Sequence, residues 1–154
     1  MNNKIPFPDI LSILESQAAK IPHRVAIVGH NHVSLNFGDL YNQVQVLASQ
    51  ILSRSKIKGH AHTLRTAIVL PNGPEMSKTL LASSVSGAAV PLNPSYTEYE
   101  FSEYFNQAKV TSIITIPGFS IACERAARQN NLPIFSFEEL SNMDMKFVLI
   151  AEEC

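Results

Sequence analysis

With 154 residues the chain is long enough for one domain, which would bury roughly 70% of the surface its unfolded form exposes. Hydrophobic residues make up 45% and charged residues 16%, and a net charge of -1 leaves no electrostatic case for nucleic acid or an anionic membrane. Cys123 and Cys154 stand at neither disulfide-framework nor metal-ligand spacing, and the opening MNNKIPFPDI has no apolar core of a leader, so the expectation is a cytoplasmic protein without a targeting signal or a membrane span.

From Asp9 to Lys20 the apolar residues Ile10, Ile13, Leu14, Ala18 and then Ile21 follow the spacing of one helix face, and Pro22 stops the helix. RVAIVGHNHVSLNF reads as two short strands joined by a polar GHNH turn. Asn36 stands three residues before Asp39, a weaker capping box, and Leu40, Val44, Leu47, Ala48 and Ile51 predict a helix to about Arg54. KIKGHAHTLR is polar and breaks the pattern, as a loop does.

Three strand-turn-helix units follow, TAIVLPNGPEMSKTLLASSVSG, AAVPLNPSYTEYEFSEYFNQA and TSIITIPGFSIACERAARQN, and PIFSF reads as a further strand. The runs AIVL, AAV and SIITI are continuously apolar, the pattern of parallel strands covered by helices on both faces. Prolines punctuate each elbow, LPNGP at 70–74, VPLNP at 90–94 and IPG at 116–118. Pro91 lacks a ladder N–H, so strand pairing should weaken there, and Asn93 before Pro94 is held extended. Thr97 and Glu100 then form a capping box, after which Phe101, Tyr104, Phe105 and Ala108 share a face. The elbows should lie at the carboxyl edge of the sheet, where open α/β sheets bind ligands. Ala82, Ser83, Ser84, Ser86 and Gly87 make one helix unusually small-faced, which reads as close packing against a neighbour. After PIFSF only FVLI is apolar, and the chain stops soon after it, so the expectation is a single unit that is truncated.

Catalytic motifs are mostly missing. The six glycines, at 29, 38, 59, 73, 87 and 118, have neither the Walker spacing before a lysine nor the dinucleotide pattern. GFSIA at 118–122 resembles a hydrolase nucleophile elbow with Ser120 as nucleophile, but His23, His30, His32, His60 and His62 all precede the serine that they would have to follow in chain order. His30/His32 and His60/His62 fall in polar loop text without ligand-spaced cysteines or carboxylates, so they read as solvated histidines. Glu98, Glu100, Glu103, Glu138 and Glu139 read as helix-start and surface charge. Tyr96, Tyr99, Phe101, Tyr104 and Phe105 read as core and rim, since no basic residue interleaves them.

The order of parts resembles the N-terminal region of the acyl-adenylate-forming superfamily of AMP-dependent synthetases and ligases. Asn36-Phe37-Gly38-Asp39-Leu40 stands where that family commonly has Thr-Tyr-x-Glu-Leu, and TAIVLPNGPEMSKTLLASSVSGAAVPLNPSYTEYEF is similar to its strand, "PN" elbow, small-residue helix and "PLNP" elbow. PLNPSYTEYEFSEYFNQAKVTSIITIPG looks nearest to the oxalyl-CoA synthetase and medium-chain acyl-CoA ligase group, whose full-length members can be peroxisomal. The resemblance covers about residues 7 to 137 and implies a partial α/β fold of βαβ units, a mainly parallel sheet flanked by helices, and an N-terminal hairpin. Full-length relatives would use ATP, magnesium and coenzyme A to turn a carboxylic acid into an acyl-adenylate and then an acyl-CoA. The Ser/Thr/Gly-rich phosphate loop, the aromatic-x-Thr-Glu stretch, the ribose aspartate and the C-terminal lysine of that family have no counterpart here, and KGHAH replaces its usual Gly-Asp pair. No catalytic, cofactor-binding or metal residue is carried over, and the chain alone is expected to be inactive. The alternatives are a non-catalytic interaction fragment, with a protein partner or self-association covering apolar surface left open, and a small nucleotide-binding α/β domain.

Overall fold

Local chemistry sets most element boundaries. The computed structural model describes residues 9–29, 34–55, 64–137 and 149–152. Asp9 Oδ1 accepts the Ser12 N–H at 2.7 Å and opens α1 (Ile10–Lys20). β1 (Val25–Val28) and β2 (Ser34–Asn36) pair antiparallel as the expected hairpin; residues 30–33 of its turn lie outside the described residues. Asn36 Oδ1 accepts the Asp39 N–H at 2.8 Å while its amide donates to Asp39 Oδ2 at 2.7 Å, so the weak capping box closes through two side chains. It starts α2 (Phe37–Arg54), which buries all five residues of the expected stripe, Leu40, Val44, Leu47, Ala48 and Ile51.

The three units are β3 (Arg65–Val69) with α3 (Pro74–Ser86), β4 (Ala88–Pro91) with α4 (Glu98–Gln107), and β5 (Ser112–Thr115) with α5 (Ile121–Gln129). β6 (Ile134–Phe137) follows, and β7 (Leu149–Glu152) closes one edge. The strand order is β4-β3-β5-β6-β7, with the first four mutually parallel and β7 antiparallel to β6. This is the expected α/β class, a mainly parallel sheet flanked by helices, with the hairpin standing apart as a two-stranded sheet. β7 is an addition to the sequence reading. Its four residues overlap the end of the FVLI run, too short a pattern to separate a strand from other apolar text.

Both faces of the sheet are covered, as the unbroken apolar runs require. On one face Ile68 and Leu70 of the β3 unit, Ile114 of β5 and Phe135 of β6 pack with Leu14, Val44, Leu47, Ile51 and Ala82 from α1, α2 and α3. On the other, Ala67 and Val69, Ile113 and Ile134 pack with Phe101 and Phe105 of α4 and with Cys123, Ala126 and Ala127 of α5. Adjacent strand residues therefore serve different cores, and β3 and β5 are buried at nearly every position. β4, at the sheet edge, is only half-buried.

The structure corrects the sequence reading in two places. Ile10 and Ile13, read as part of one apolar face of α1, are 37% and 45% exposed, and Leu14 alone is buried in that helix. At about 100° per residue Leu11, Leu14 and Ala18 point one way and Ile13 lies about 100° to 160° round from them, so a helix resting mainly on α2 seals only a narrow seam. Pro91, in turn, does not weaken the ladder. Ala88 and Leu92 donate their N–H groups to Leu64 and Ile68 at 2.8 and 3.0 Å, so donors to β3 fall on the even positions and Pro91 faces the open edge. There its missing N–H costs no hydrogen bond and blunts an edge that another chain could otherwise pair with.

Thr97 Oγ1 and Glu100 complete the capping box of α4, and Phe101 behind it is fully buried. Phe101→Ala is expected to lower the free energy of unfolding by about 3–5 kcal/mol and Thr97→Ala by about 1 kcal/mol. Tyr99→Ala, at a side chain 74% exposed, should stay within about 0.5 kcal/mol of the parent; urea unfolding of the three variants checks the ranking.

Candidate functional site

Because β4, β3, β5 and β6 run parallel, their carboxyl ends share one edge, and the strand order reverses between β3 and β5. That switch point, flanked by the elbows after β3 and β5, is where open α/β sheets form a ligand crevice. The elbow chemistry decides what this edge can hold.

At the β5 elbow Gly118 adopts φ +76°, a left-handed conformation that a side chain would disfavour, and its N–H donates to Glu124 Oε1 at 2.7 Å. Ser120 caps α5 by accepting the Cys123 N–H at 3.4 Å, and its hydroxyl donates to the Pro94 carbonyl at 3.1 Å. It is 5% exposed, so the side chain singled out as a possible nucleophile is committed at both ends and ties the β5 elbow to the β4 elbow. At the β4 elbow Asn93 Oδ1 takes the Ser95 N–H at 3.0 Å and Thr97 Oγ1 takes that of Glu100 at 3.3 Å. Hydrogen bonds to Thr97, first its backbone N–H and then its hydroxyl, hold the Glu100 carboxyl below its ordinary pKa.

The β3 elbow differs. Gly73 caps α3 without a side-chain bond, Pro74 has no N–H to offer, and Glu75 puts a carboxylate in the first turn, where it complements the helix dipole and opposes a bound anion. One turn further in, Lys78 is only 3% exposed and donates to Gln43 Oε1 of α2 at 3.1 Å. Burial pushes its ammonium down to about 8, against the opposing pull of Glu75. Beside it Thr79 Oγ1 and Ser83 Oγ are buried without a hydrogen-bond partner among the described residues. The sequence reading treated α3 as a small-faced packing helix. Ala82, Ser83 and Ser86 are indeed buried against its neighbours, but the reading missed the lysine. The available signal was spacing: Lys78 stands four residues before Ala82, and so on the face that has to be buried.

The remaining candidates do not converge. His23 is exposed in the turn after α1; His30, His32, His60, His62, Glu138, Glu139 and Cys154 lie outside the described residues. Among the described residues no group of three or more His, Cys, Asp or Glu side chains could hold a metal. No described helix is long and apolar enough to cross a membrane. Cys123 is buried, and burial first and Glu124 second push its thiol up to about 12, which leaves it protonated and inert near neutral pH. Tyr96 stacks on Tyr104 with centroids 4.9 Å apart and meets Phe101 edge-on at 5.8 Å, the core-and-rim arrangement expected of this aromatic group. Glu98 accepts from Gln129 of α5. An open groove of about 750 Å³, lined by Leu11, Val46, Leu52 and Val85 among others, lies over α2, away from the elbows.

Lys78 has a definite consequence for stability. Its folded-state pKa of about 8 lies below the ordinary 10.5, so from about pH 8 to pH 10.5 the unfolded chain holds a proton that the folded chain has lost. Stability contributed through Lys78 therefore rises with pH across that window, by up to about 3 kcal/mol. Lys78→Met should be the more stable protein at pH 7, and the advantage should shrink towards pH 10.5; denaturant unfolding of both proteins at the two pH values measures the difference.

Comparison with known proteins fits this geometry. The family model described as AMP-binding enzyme matches residues 14–147. The long-chain-fatty-acid–CoA ligase of Bacillus subtilis is 31% identical over 117 residues, 74% of this chain and 20% of the ligase. Among solved structures, VinN superposes with a TM-score of 0.70 at 19% identity over 84% of this chain and 31% of VinN. ATP-bound MatB from Rhodopseudomonas palustris gives 0.70 at 17% identity over 84% of this chain and 25% of MatB. The chain thus spans about a fifth of the length of the curated ligase it matches and about a quarter to a third of these two structures. With a family model covering most of its length and its layered parallel sheet shared with these structures, the chain belongs to the AMP-binding enzyme family.

Proposed function

We propose that these 154 residues form a single unit, the opening scaffold layer of an acyl-CoA synthetase-like ligase, and that this layer does not by itself activate a carboxylic acid. The observation that carries the reading is the state of the elbows. Transfer of an adenylyl group requires preorganised N–H donors and positive charge around a phosphorus that gains negative charge in the transition state. Here the N–H groups of Ser95, Glu100, Gly118 and Cys123 are already taken by Asn93, Thr97, Glu124 and Ser120, and Glu75 guards the start of α3. The described residues therefore do not fit a triphosphate, and with no cluster of carboxylates they do not fit its magnesium either. ATP, magnesium and coenzyme A belong in this reading to the whole ligase, with oxalate, medium-chain acids and long-chain acids as the substrates to try.

The layer's contribution is rigidity. A sheet anchored on both faces holds its carboxyl edge in place, and a catalytic loop can keep its geometry only against a fixed support. A second reading, a non-catalytic interaction fragment, draws support from Val46 and Leu52, which are 57% and 43% exposed on α2. The same occupied elbows argue against a small independent nucleotide binder.

Three measurements separate these readings. The isolated chain should give background ATP–pyrophosphate exchange with each acid class, and appreciable exchange would overturn the scaffold reading. A chimaera in which this chain replaces the matching segment of the Bacillus subtilis ligase should retain acid-dependent exchange; a chimaera that folds but is inactive counts against the reading. Millimolar ATP should leave the melting temperature of the isolated chain unchanged, whereas a rise would favour the nucleotide-binding alternative.

A further inference from the structure

We draw no further inference here: the strongest candidate, the open apolar groove that Leu11, Val46, Leu52 and Val85 line over α2, carries none because nothing in the structure shows what covers it.

Discussion

Two-sided burial of the parallel strands is the constraint on which the other features rest. Ala67 and Val69 face α4 and α5, while Ile68 and Leu70 face α1, α2 and α3, so one short run of chain closes two cores at once. A one-residue slip of β3 would exchange every one of those contacts and set side chains of different size, Ala67 and Ile68 among them, against the wrong core, where close packing tolerates little change in volume. Ile113 with Ile114, and Ile134 with Phe135, repeat the division on β5 and β6. The register Thr66↔Ser112, Ala67↔Ile113 and Ile68↔Ile114 keeps residues of the same face level across the sheet.

From that anchoring follows the character of the carboxyl edge. Strands held on both faces deliver their ends to fixed places, so one elbow can be fastened to another, as Ser120 is to Pro94, and an elbow to its own helix, as Gly118 is to Glu124. Each such bond satisfies a backbone or hydroxyl group that would otherwise be left for a ligand. The edge is thereby stiff and self-contained. In the proposed reading such an edge serves as a support, and the anion-binding groups come from other segments of the whole ligase.

Polar burial on α3 runs against the economy of the rest of the core. A lysine kept from water, with two neighbouring hydroxyls that find no partner among the described residues, costs stability relative to an apolar seam of the same shape. Gln43 and the field of Glu75 offset part of the desolvation but leave the ammonium easier to deprotonate than an exposed one. Serine and alanine next to it are small enough for α2 and α3 to pack closely, and that closeness is what excludes water from Lys78. The small-residue stripe and the buried charge are two aspects of one helix contact.

Much of the fold was legible in the sequence because its signals act over a few residues. The Asn36 and Thr97 caps each bond an N–H three residues on, and the α2 stripe recurs within a turn or two; the Asp9 and Ser120 caps act over the same span, though the reading missed them. Proline and glycine punctuation marked the elbows for the same reason, and the order of strands and helices followed. What no local pattern encodes is which strand lies beside which. Placing β3 between β4 and β5, turning Pro91 to the free edge, exposing Ile13, adding β7 and burying Lys78 against Gln43 all depend on contacts between distant parts of the chain. Thr66 with Ser112 and Thr115 with Val69 meet across 46 positions, and Lys78 with Gln43 across 35. The sequence by itself therefore determined most of the elements, two of the helix caps and the family resemblance; only the tertiary structure decided how the strands are ordered, which faces are sealed and which polar groups are shut inside, because those outcomes depend on the packing of several elements together.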